Sequence, residues 1–178
     1  MIKNSTYLFV ALFITVLLFG CKQNSKEYTA KEKQVFKNNL VKANRGLVEN
    51  DQEKIANYLA HRNWNMQKTE TGLWYEIIKS DSGKITKSGK IVQLRYQVSL
   101  LDGTLCYSSD SLGLKTFKVG QGGVESGLEE AVLLLKEGDA GRFILPPYLA
   151  YGLLGDENKI PPRSTIVYNV ELIKLTDY

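Results

Sequence analysis

Hydrophobic positions change their spacing along this chain, and the change divides the chain into three parts. Tyr7 to Phe19 is an almost unbroken apolar run. Between Thr29 and Met66 apolar residues return every three or four positions, which is the spacing of one helix face. From Leu73 onwards apolar residues alternate with polar ones, as in strands that bury one face. The pattern predicts an apolar leader, a helical segment and a sheet domain.

The apolar leader has the features of an export signal. Lys3 precedes a run of 13 apolar or weakly polar residues, which is shorter than the roughly 20 residues of a membrane-spanning helix. Leu18-Phe19-Gly20-Cys21 resembles a bacterial lipobox, although Phe19 stands where a small residue is usual. We predict a lipoprotein signal peptide at 1–20, lipid attachment at Cys21 and a tether at 21–28. Plain secretion and an uncleaved anchor are the alternatives.

The predicted anchor gives the cysteines and the location of the chain an interpretation. With Cys21 acylated, Cys106 is the one remaining thiol and no internal disulfide can form. We expect a lipid-anchored membrane protein of the bacterial cell envelope that faces the periplasm or the cell surface.

The segment at 29–66 is predicted to be a helical extension. Its apolar stripe consists of Val35, Phe36, Leu40, Val41, Leu47 and Val48. Gly46 weakens the case for one unbroken helix, and Asn50 followed by Glu53 resembles a new helix start. We therefore expect a pair of amphipathic helices. Their stripe packs on the chain's own domain, on a partner protein, or on a second copy through residues 29–62.

The domain at 67–178 is predicted to be α+β, with a half-open antiparallel sheet wrapped on one short helix. Its clearest strand covers 92–100, where Val92, Leu94, Tyr96, Val98 and Leu100 alternate with polar residues. The helix is expected at 127–135. The other strands are expected at Leu73–Ile78, Leu105–Tyr107, Phe117–Val119, Phe143–Leu145 and Ile166–Ile173.

Composition and charge exclude several functional classes. The net charge of +4 is too small to indicate nucleic-acid binding, and no run of five like charges occurs. His61 is the only histidine and has no cluster of potential ligands near it in sequence, so we predict no metal site. The glycines at 120–123 lack the spacings of phosphate-binding loops, and we interpret them as a loop leading into a helix. No cofactor is expected.

Three motifs near the chain's end carry a family resemblance. They are Ala150-Tyr151-Gly152, then Ile160-Pro161-Pro162-Arg163-Ser164-Thr165-Ile166, and then Val170-Glu171-Leu172-Ile173-Lys174-Leu175. As a set they resemble the FKBP-type peptidyl-prolyl cis-trans isomerases, over about Gly89 to Leu175. The resemblance implies an FKBP-like fold and rotamase activity on X-Pro polypeptides. With the lipobox and the helical extension, the layout is most similar to gliding-motility-associated lipoproteins of that family.

The resemblance also implies a pocket. Transferred position by position, the family's pocket falls on Tyr96, Cys106, Tyr107, Val124, Glu125, Leu128, Tyr151, Ile160 and Tyr168. Tyr151, Tyr96 and Tyr168 would be its catalytic residues and the other six would bind substrate. The Tyr151 hydroxyl would donate to a substrate carbonyl, and the backbone N–H of Glu125 would be a second donor.

Four positions depart from the family pattern. Cys106 replaces Phe, Tyr107 replaces Asp, Glu125 replaces Ile and Leu128 replaces Trp, while Asp110 is a candidate for the missing acid. Two functions follow as hypotheses. One is an isomerase that assists folding of exported or envelope proteins, gliding-motility components among them. The other is a non-catalytic peptide-binding chaperone or assembly module on the same fold.

Overall fold

A computed structural model of the protein describes residues 29–177, and the predicted signal peptide at 1–20 and the whole tether at 21–28, with Cys21, lie outside them. None of the described helices is both long and apolar enough to cross a membrane. The elements in chain order are α1 Ala30–Arg62, β1 Gln67–Lys68, β2 Trp74–Lys79, β3 Ile91–Leu100, β4 Leu105–Ser108, α2 Ser109–Leu112, β5 Lys115–Lys118, α3 Ser126–Leu133, β6 Ala140–Leu145, a 3-10 turn Pro147–Leu149, and β7 Ile166–Thr176.

Helix α1 begins with a reciprocal cap. The Thr29 N–H donates to Glu32 Oε2 at 2.8 Å, and the Glu32 N–H donates to Thr29 Oγ1 at 3.3 Å. Such a capping box satisfies backbone donors that have no partner within the helix. The expected pair of helices is wrong, because α1 runs without a break through Gly46 and Asn50. A glycine inside a helix costs only about 1 kcal/mol relative to alanine, which is less than ending the helix there would cost.

The chain forms two compact units, residues 1–42 and residues 43–178. In the described part of the first, the apolar residues Val35, Phe36, Leu40 and Val41 are all exposed, between 49% and 65%. In the second, Ile55 and Leu59 of α1 are buried with Met66, Ile144 and Val167. The later half of α1 is therefore part of the same unit as the sheet.

The sheet is antiparallel throughout and has the order β1-β2-β6-β7-β3-β4, with β5 also paired to β3. Its longest pairing joins β3 to β7, from Ile91 opposite Thr176 to Leu100 opposite Ile166. The alternation predicted for β3 is confirmed, since Val92, Leu94, Tyr96 and Val98 are buried. The α+β class is likewise confirmed.

Helix α3 covers one face of this sheet and completes the main core. Leu128, Ala131 and Val132 of α3 are fully buried against residues of β3, β6 and β7. Gly127 makes this close approach possible, because a Cβ there would lie 2.6 Å from the Leu145 side chain. The observed helix is shifted by about one residue from the predicted one and ends at Leu133.

Candidate functional site

Two tyrosines on neighbouring strands form the floor of the candidate site. Tyr96 on β3 and Tyr168 on β7 have ring centroids 6.3 Å apart, with their planes inclined by 44°. The strand register explains this, because Tyr168 lies opposite Val98 and both tyrosines point to the buried face. Leu128 and Ile160 belong to the same core and are at most 2% exposed. Tyr168 itself is fully buried and Tyr96 is 6% exposed.

The open space lies above this floor. A cavity of about 360 Å³ is lined by Lys115, Gly123, Val124, Glu125, Ala150 and Tyr151. Of the nine predicted site residues, Val124, Glu125 and Tyr151 line it. The other six lie around or beneath them, and eight of the nine belong to one hydrophobic core. The structure therefore brings the predicted residues together, although most of the predicted wall is covered.

The cover consists of two charged side chains. Glu125 is the residue just before α3, but its side chain makes no cap for that helix. It turns inward instead, and Tyr168 Oη donates to Glu125 Oε1 at 2.9 Å. Lys115 Nζ lies 3.8 Å from Glu125 Oε2, 5.2 Å from the centroid of Tyr96 and 5.9 Å from that of Tyr168. An ion pair thus lies over the two aromatic rings.

These contacts keep the tyrosine hydroxyls protonated. Burial first, and then the negative charge of Glu125, raise the pKa of Tyr168 far above its ordinary value. Burial and then the interaction with Glu125 raise the pKa of Tyr151 in the same way. For Tyr96, burial and Glu125 also raise the pKa. At neutral pH all three are therefore neutral phenols that can donate hydrogen bonds.

The loop at 120–123 is held by a carboxylate of α3. Glu129 accepts hydrogen bonds from the Gly120 N–H at 2.6 Å and from the Gly122 N–H at 3.1 Å. Both glycines have positive φ, +82° and +74°, which residues with a Cβ rarely adopt. The predicted loop into a helix is confirmed. It leaves the backbone N–H of Glu125 at the cavity without an acceptor among the described residues.

Tyr107 is hydrogen-bonded to Asp156, an acidic residue that no sequence motif indicated. Its hydroxyl donates to Asp156 Oδ2 in a short hydrogen bond. Asp156 Oδ1 also accepts from the N–H groups of Ile160 at 2.7 Å and Asn158 at 3.0 Å, so the carboxylate ties Tyr107 to the segment before Ile160. Asp110, the other candidate for the family's missing acid, belongs to α2, where its N–H donates to Ser108 Oγ at 3.1 Å. It lines a different cavity, together with Arg95 and Glu171.

Cys106 lies at the back of the site and is a free thiol. It is 2% exposed, and burial raises the pKa of its thiol. Its Sγ lies 3.6 Å from the carbonyl oxygen of Lys159, to which it donates a weak hydrogen bond. Cys106 and Ile160 belong to the same hydrophobic core, so Cys106 is a packing residue.

Lys115 is the main site residue that sequence reasoning missed. The sequence predicts a strand that contains Phe117. Lys115 lies two positions earlier, and the two-residue period of a strand puts both side chains on the same face. This spacing is a signal by which the sequence could have indicated Lys115. Asp156 had no comparable signal, because only the folded chain brings it next to Tyr107, which is 49 residues away in sequence.

Comparison with known proteins gives consistent results. The family model described as FKBP-type peptidyl-prolyl cis-trans isomerase matches residues 83–173. A probable FKBP-type isomerase, FkpA of Neisseria meningitidis, is 40% identical over 111 residues, which cover 62% of this chain and 40% of the relative. FkpA of Aeromonas hydrophila is 36% identical over 153 residues, covering 84% of this chain and 54% of the relative.

Solved structures agree on the fold. The crystal structure of FkpA from Escherichia coli is similar with a TM-score of 0.61 at 24% sequence identity, and the match covers 99% of this chain and 83% of that one. The chain spans about half the length, or less, of the two curated relatives. Because the family model covers just over half of the chain and includes all nine predicted pocket positions, this chain belongs to the FKBP-type peptidyl-prolyl cis-trans isomerase family.

Proposed function

We propose that this protein catalyses cis-trans isomerisation of X-Pro bonds in exported or envelope polypeptides. The family match supports the reaction class, and the cavity bounded by Val124, Glu125 and Tyr151 supports the location. One observation carries the proposal. Tyr151, with its hydroxyl donor, and Glu125, with its backbone N–H donor, line one cavity together with the apolar side chains of Val124 and Ala150.

The reaction requires no proton shuttle. The barrier of about 18–20 kcal/mol comes from amide resonance, and the uncatalysed step takes about 10–100 s. A site lowers the barrier when it binds the twisted amide more tightly than the planar one. An apolar cavity removes water that solvates the planar amide dipole, and fixed donors hold the substrate carbonyl while the bond rotates.

Tyr151 and Glu125 have distinct parts in this mechanism. The Tyr151 hydroxyl donates to a substrate carbonyl, and it stays protonated because burial first, and then the neighbouring Glu125, raise its pKa. The N–H of Glu125 supplies the second donor from the start of α3. Tyr96 and Tyr168 reach the prolyl ring only after Lys115 and Glu125 shift, because these two side chains cover them.

The deciding experiment measures isomerisation of X-Pro tetrapeptides by the full chain in neutral detergent. We expect acceleration over the uncatalysed rate. Tyr151→Phe should lower kcat/KM by about 3- to 10-fold, the loss of one hydrogen bond of about 1 kcal/mol. Tyr75→Phe is the matched control, because its hydroxyl donates to Gln67 outside the site. Absence of any acceleration by the folded protein would refute the isomerase proposal.

A non-catalytic peptide-binding module is the second candidate. It is favoured by the covered floor of the site, since Tyr168 is fully buried. The same peptides separate the two functions. Saturable binding without acceleration identifies a chaperone or assembly module, whereas turnover identifies the enzyme.

Anchoring and client class complete the proposal. The lipobox-like Leu18-Phe19-Gly20-Cys21 supports acylation at Cys21 and attachment to a membrane of the cell envelope. Labelling with an alkyne fatty acid should mark the wild type and not Cys21→Ser. The similarity of the layout to gliding-motility lipoproteins makes motility components a client class to test, by comparing their folded amounts with and without the protein.

Self-association is the last part of the proposal. The exposed stripe of Val35, Phe36, Leu40 and Val41 supports contact with a second copy, because large exposed apolar stripes mark interaction sites. Sedimentation in detergent should show a dimer, and Phe36→Glu with Leu40→Glu should dissociate it. Lys37→Glu, a charge change on the same helix, is the control. A monomeric wild type would indicate a different partner for this stripe.

A further inference from the structure

Lys115 has a position that the family pocket does not require. It is the first residue of β5, where it pairs with Leu94 of β3. Its Nζ lies above the rings of Tyr96 and Tyr168 and lies 3.5 Å from Tyr168 Oη. The side chain is 25% exposed and lines the 360 Å³ cavity. A cation therefore stands at the place where a substrate enters.

The ammonium is only partly neutralised. Its anionic partner, Glu125, lies 3.8 Å away, which is longer than a hydrogen bond, and the Glu125 side chain is 5% exposed. Glu125 Oε2 accepts no hydrogen bond among the described residues. A lysine ammonium has three donors. Besides its position over the two tyrosine rings, Nζ makes one other contact with a hydrogen-bonding atom within residues 29–177, which is the 3.5 Å contact with Tyr168 Oη. The more accessible member of the pair thus retains donors for a ligand.

Lys115 and Glu125 are the two charged residues that line this cavity. The carboxylates of Asp156 and Glu129 lie outside the lining, where Asp156 accepts from Tyr107, Asn158 and Ile160 and Glu129 accepts from two glycine N–H groups of the loop. Of the two lining side chains, Lys115 is 25% exposed and Glu125 is 5% exposed. A ligand that enters the cavity therefore meets the ammonium before the carboxylate.

We propose that Lys115 is a specificity-determining residue that selects X-Pro segments with an acidic side chain next to the proline. The inference rests on the proposed function of the cavity as an X-Pro site. A ligand carboxylate can approach the exposed side of the ammonium, whereas Glu125 is buried on its inner side. A basic side chain would instead meet Lys115 before it could reach Glu125. Because the ammonium is partly desolvated, its attraction is stronger than that of a fully exposed lysine.

The test uses peptides that differ in one side chain. Glu, Gln or Lys is placed directly before the proline in one set and directly after it in a second set, and cis-trans exchange is measured by NMR with the full chain in neutral detergent. We expect kcat/KM for a Glu peptide to exceed that for the matching Lys peptide by at least about fivefold in one set, with Gln between them. The set that shows the ratio identifies the side of the proline that Lys115 reads.

Three variants connect the ratio to Lys115. Lys115→Met should bring the Glu and Lys peptides to within about twofold, and Lys115→Arg should retain the preference. Lys174→Met, a change of an exposed lysine on β7, should leave the ratio unchanged. If Lys115→Met does not fold, Lys115→Met with Glu125→Gln removes both charges and should abolish the ratio in the same way.

The outcomes separate this inference from the function on which it rests. Equal turnover of Glu and Lys peptides, or a preference for Lys, overturns the inference and leaves the isomerase intact. Dissociation constants from titration of the same peptides extend the test to a protein without turnover. Tighter binding of the Glu peptide would then uphold the inference although the isomerase proposal fails, and failure to bind either peptide overturns both.

Discussion

Two buried acid–base pairs in the same unit have different geometries. Arg163 Nη2 contacts both oxygens of Asp51, at 2.7 and 2.8 Å, and joins α1 to the loop before β7. Lys115 Nζ and Glu125 Oε2, at the cavity, are 3.8 Å apart, and Glu125 Oε2 accepts no hydrogen bond from the part of the chain that the structure describes. Both carboxylates have 5% exposed side chains, so burial alone does not account for the difference.

The difference in geometry distinguishes an ion pair that stabilises the fold from an ion pair that lines the candidate site. Burying a carboxylate is costly, and close hydrogen bonds to a guanidinium offset much of that cost. Asp51 is satisfied in this way, whereas Glu125 relies on one tyrosine hydroxyl and a more distant ammonium. Incompletely satisfied buried groups are rare, and they concentrate where function requires them. We therefore expect a ligand to rearrange the Lys115–Glu125 pair and not the Arg163–Asp51 pair.

We expect the largest change in stability when the Arg163–Asp51 ion pair is broken. Arg163→Met leaves Asp51 buried without a cation, and we expect the free energy of unfolding to fall by about 2–3 kcal/mol. This loss is smaller than that for a fully buried ion pair, because the Arg163 side chain is 28% exposed. Urea denaturation measures it. Arg95→Met is the control, since its pair with Glu171 is largely exposed and should change stability by less than about 0.5 kcal/mol. A similar loss in both variants would contradict the structural role of the Asp51 pair.

The next effect concerns the single hydrogen bond that holds Glu125. Tyr168→Phe removes the donor to Oε1, and we expect a loss of about 1–2 kcal/mol because the carboxylate stays buried. Tyr75→Phe, which removes an accessible hydroxyl bonded to Gln67, should cost less. Urea denaturation of the two variants in parallel measures the difference, and equal costs would show that the Tyr168 bond contributes nothing specific.

A smaller effect is expected when the charge of Glu125 is removed. Glu125→Gln keeps an acceptor for Tyr168 and abolishes a buried charge that is poorly paired. We therefore expect the free energy of unfolding to stay constant or to rise by up to about 1 kcal/mol. Asp51→Asn is the matched change in the other pair and should destabilise the protein. Thermal unfolding of both variants measures the two effects. If Glu125→Gln destabilises the protein more than Asp51→Asn does, the comparison of the two pairs is contradicted.

The smallest effect is a dependence of stability on alkaline pH. The pKa values of Tyr151 and Tyr168 are raised in the folded state by burial and by Glu125. Above the ordinary tyrosine pKa of about 10 the unfolded chain loses these protons while the folded chain keeps them, so stability falls as pH rises. Urea denaturation between pH 8 and about 11 should show a shallower decline for Tyr168→Phe than for the wild type. Tyr148→Phe, at the α1 side, should change the slope less, and the reverse order would contradict the assignment.

Much of the fold could be predicted because its signals are local. The alternation in Val92 to Leu100 predicted β3, and the strand expected at Ile166–Ile173 is the first part of β7. The misplaced break in α1 shows the limit of local reasoning. Gly46 and Asn50 are weak helix formers, but the packing of Ile55 and Leu59 on the sheet stabilises the helix beyond them.

The sequence predicted where in the fold the candidate site lies, but not that charged side chains cover its floor. Family motifs located Tyr151, Val124 and Tyr168 in one region, and the structure brings them together. They did not show that Tyr168 would be covered. That depends on the direction of the Glu125 side chain, which could have capped α3 and instead bonds Tyr168. No property of Glu125 in isolation decides between these two partners.

Periodicity and turn chemistry act over a few residues, and through them the sequence by itself determined the strands, the short helix and the loop of glycines. The motifs near the chain's end, taken as a set, indicated the family. The tertiary structure alone decided which charges meet, because Lys115 and Glu125, like Asp51 and Arg163, come from separate parts of the chain. Only the paired strands and the packed helices set their distances. One pair joins α1 to the loop before β7, and the other is the pair at which we expect a ligand to bind.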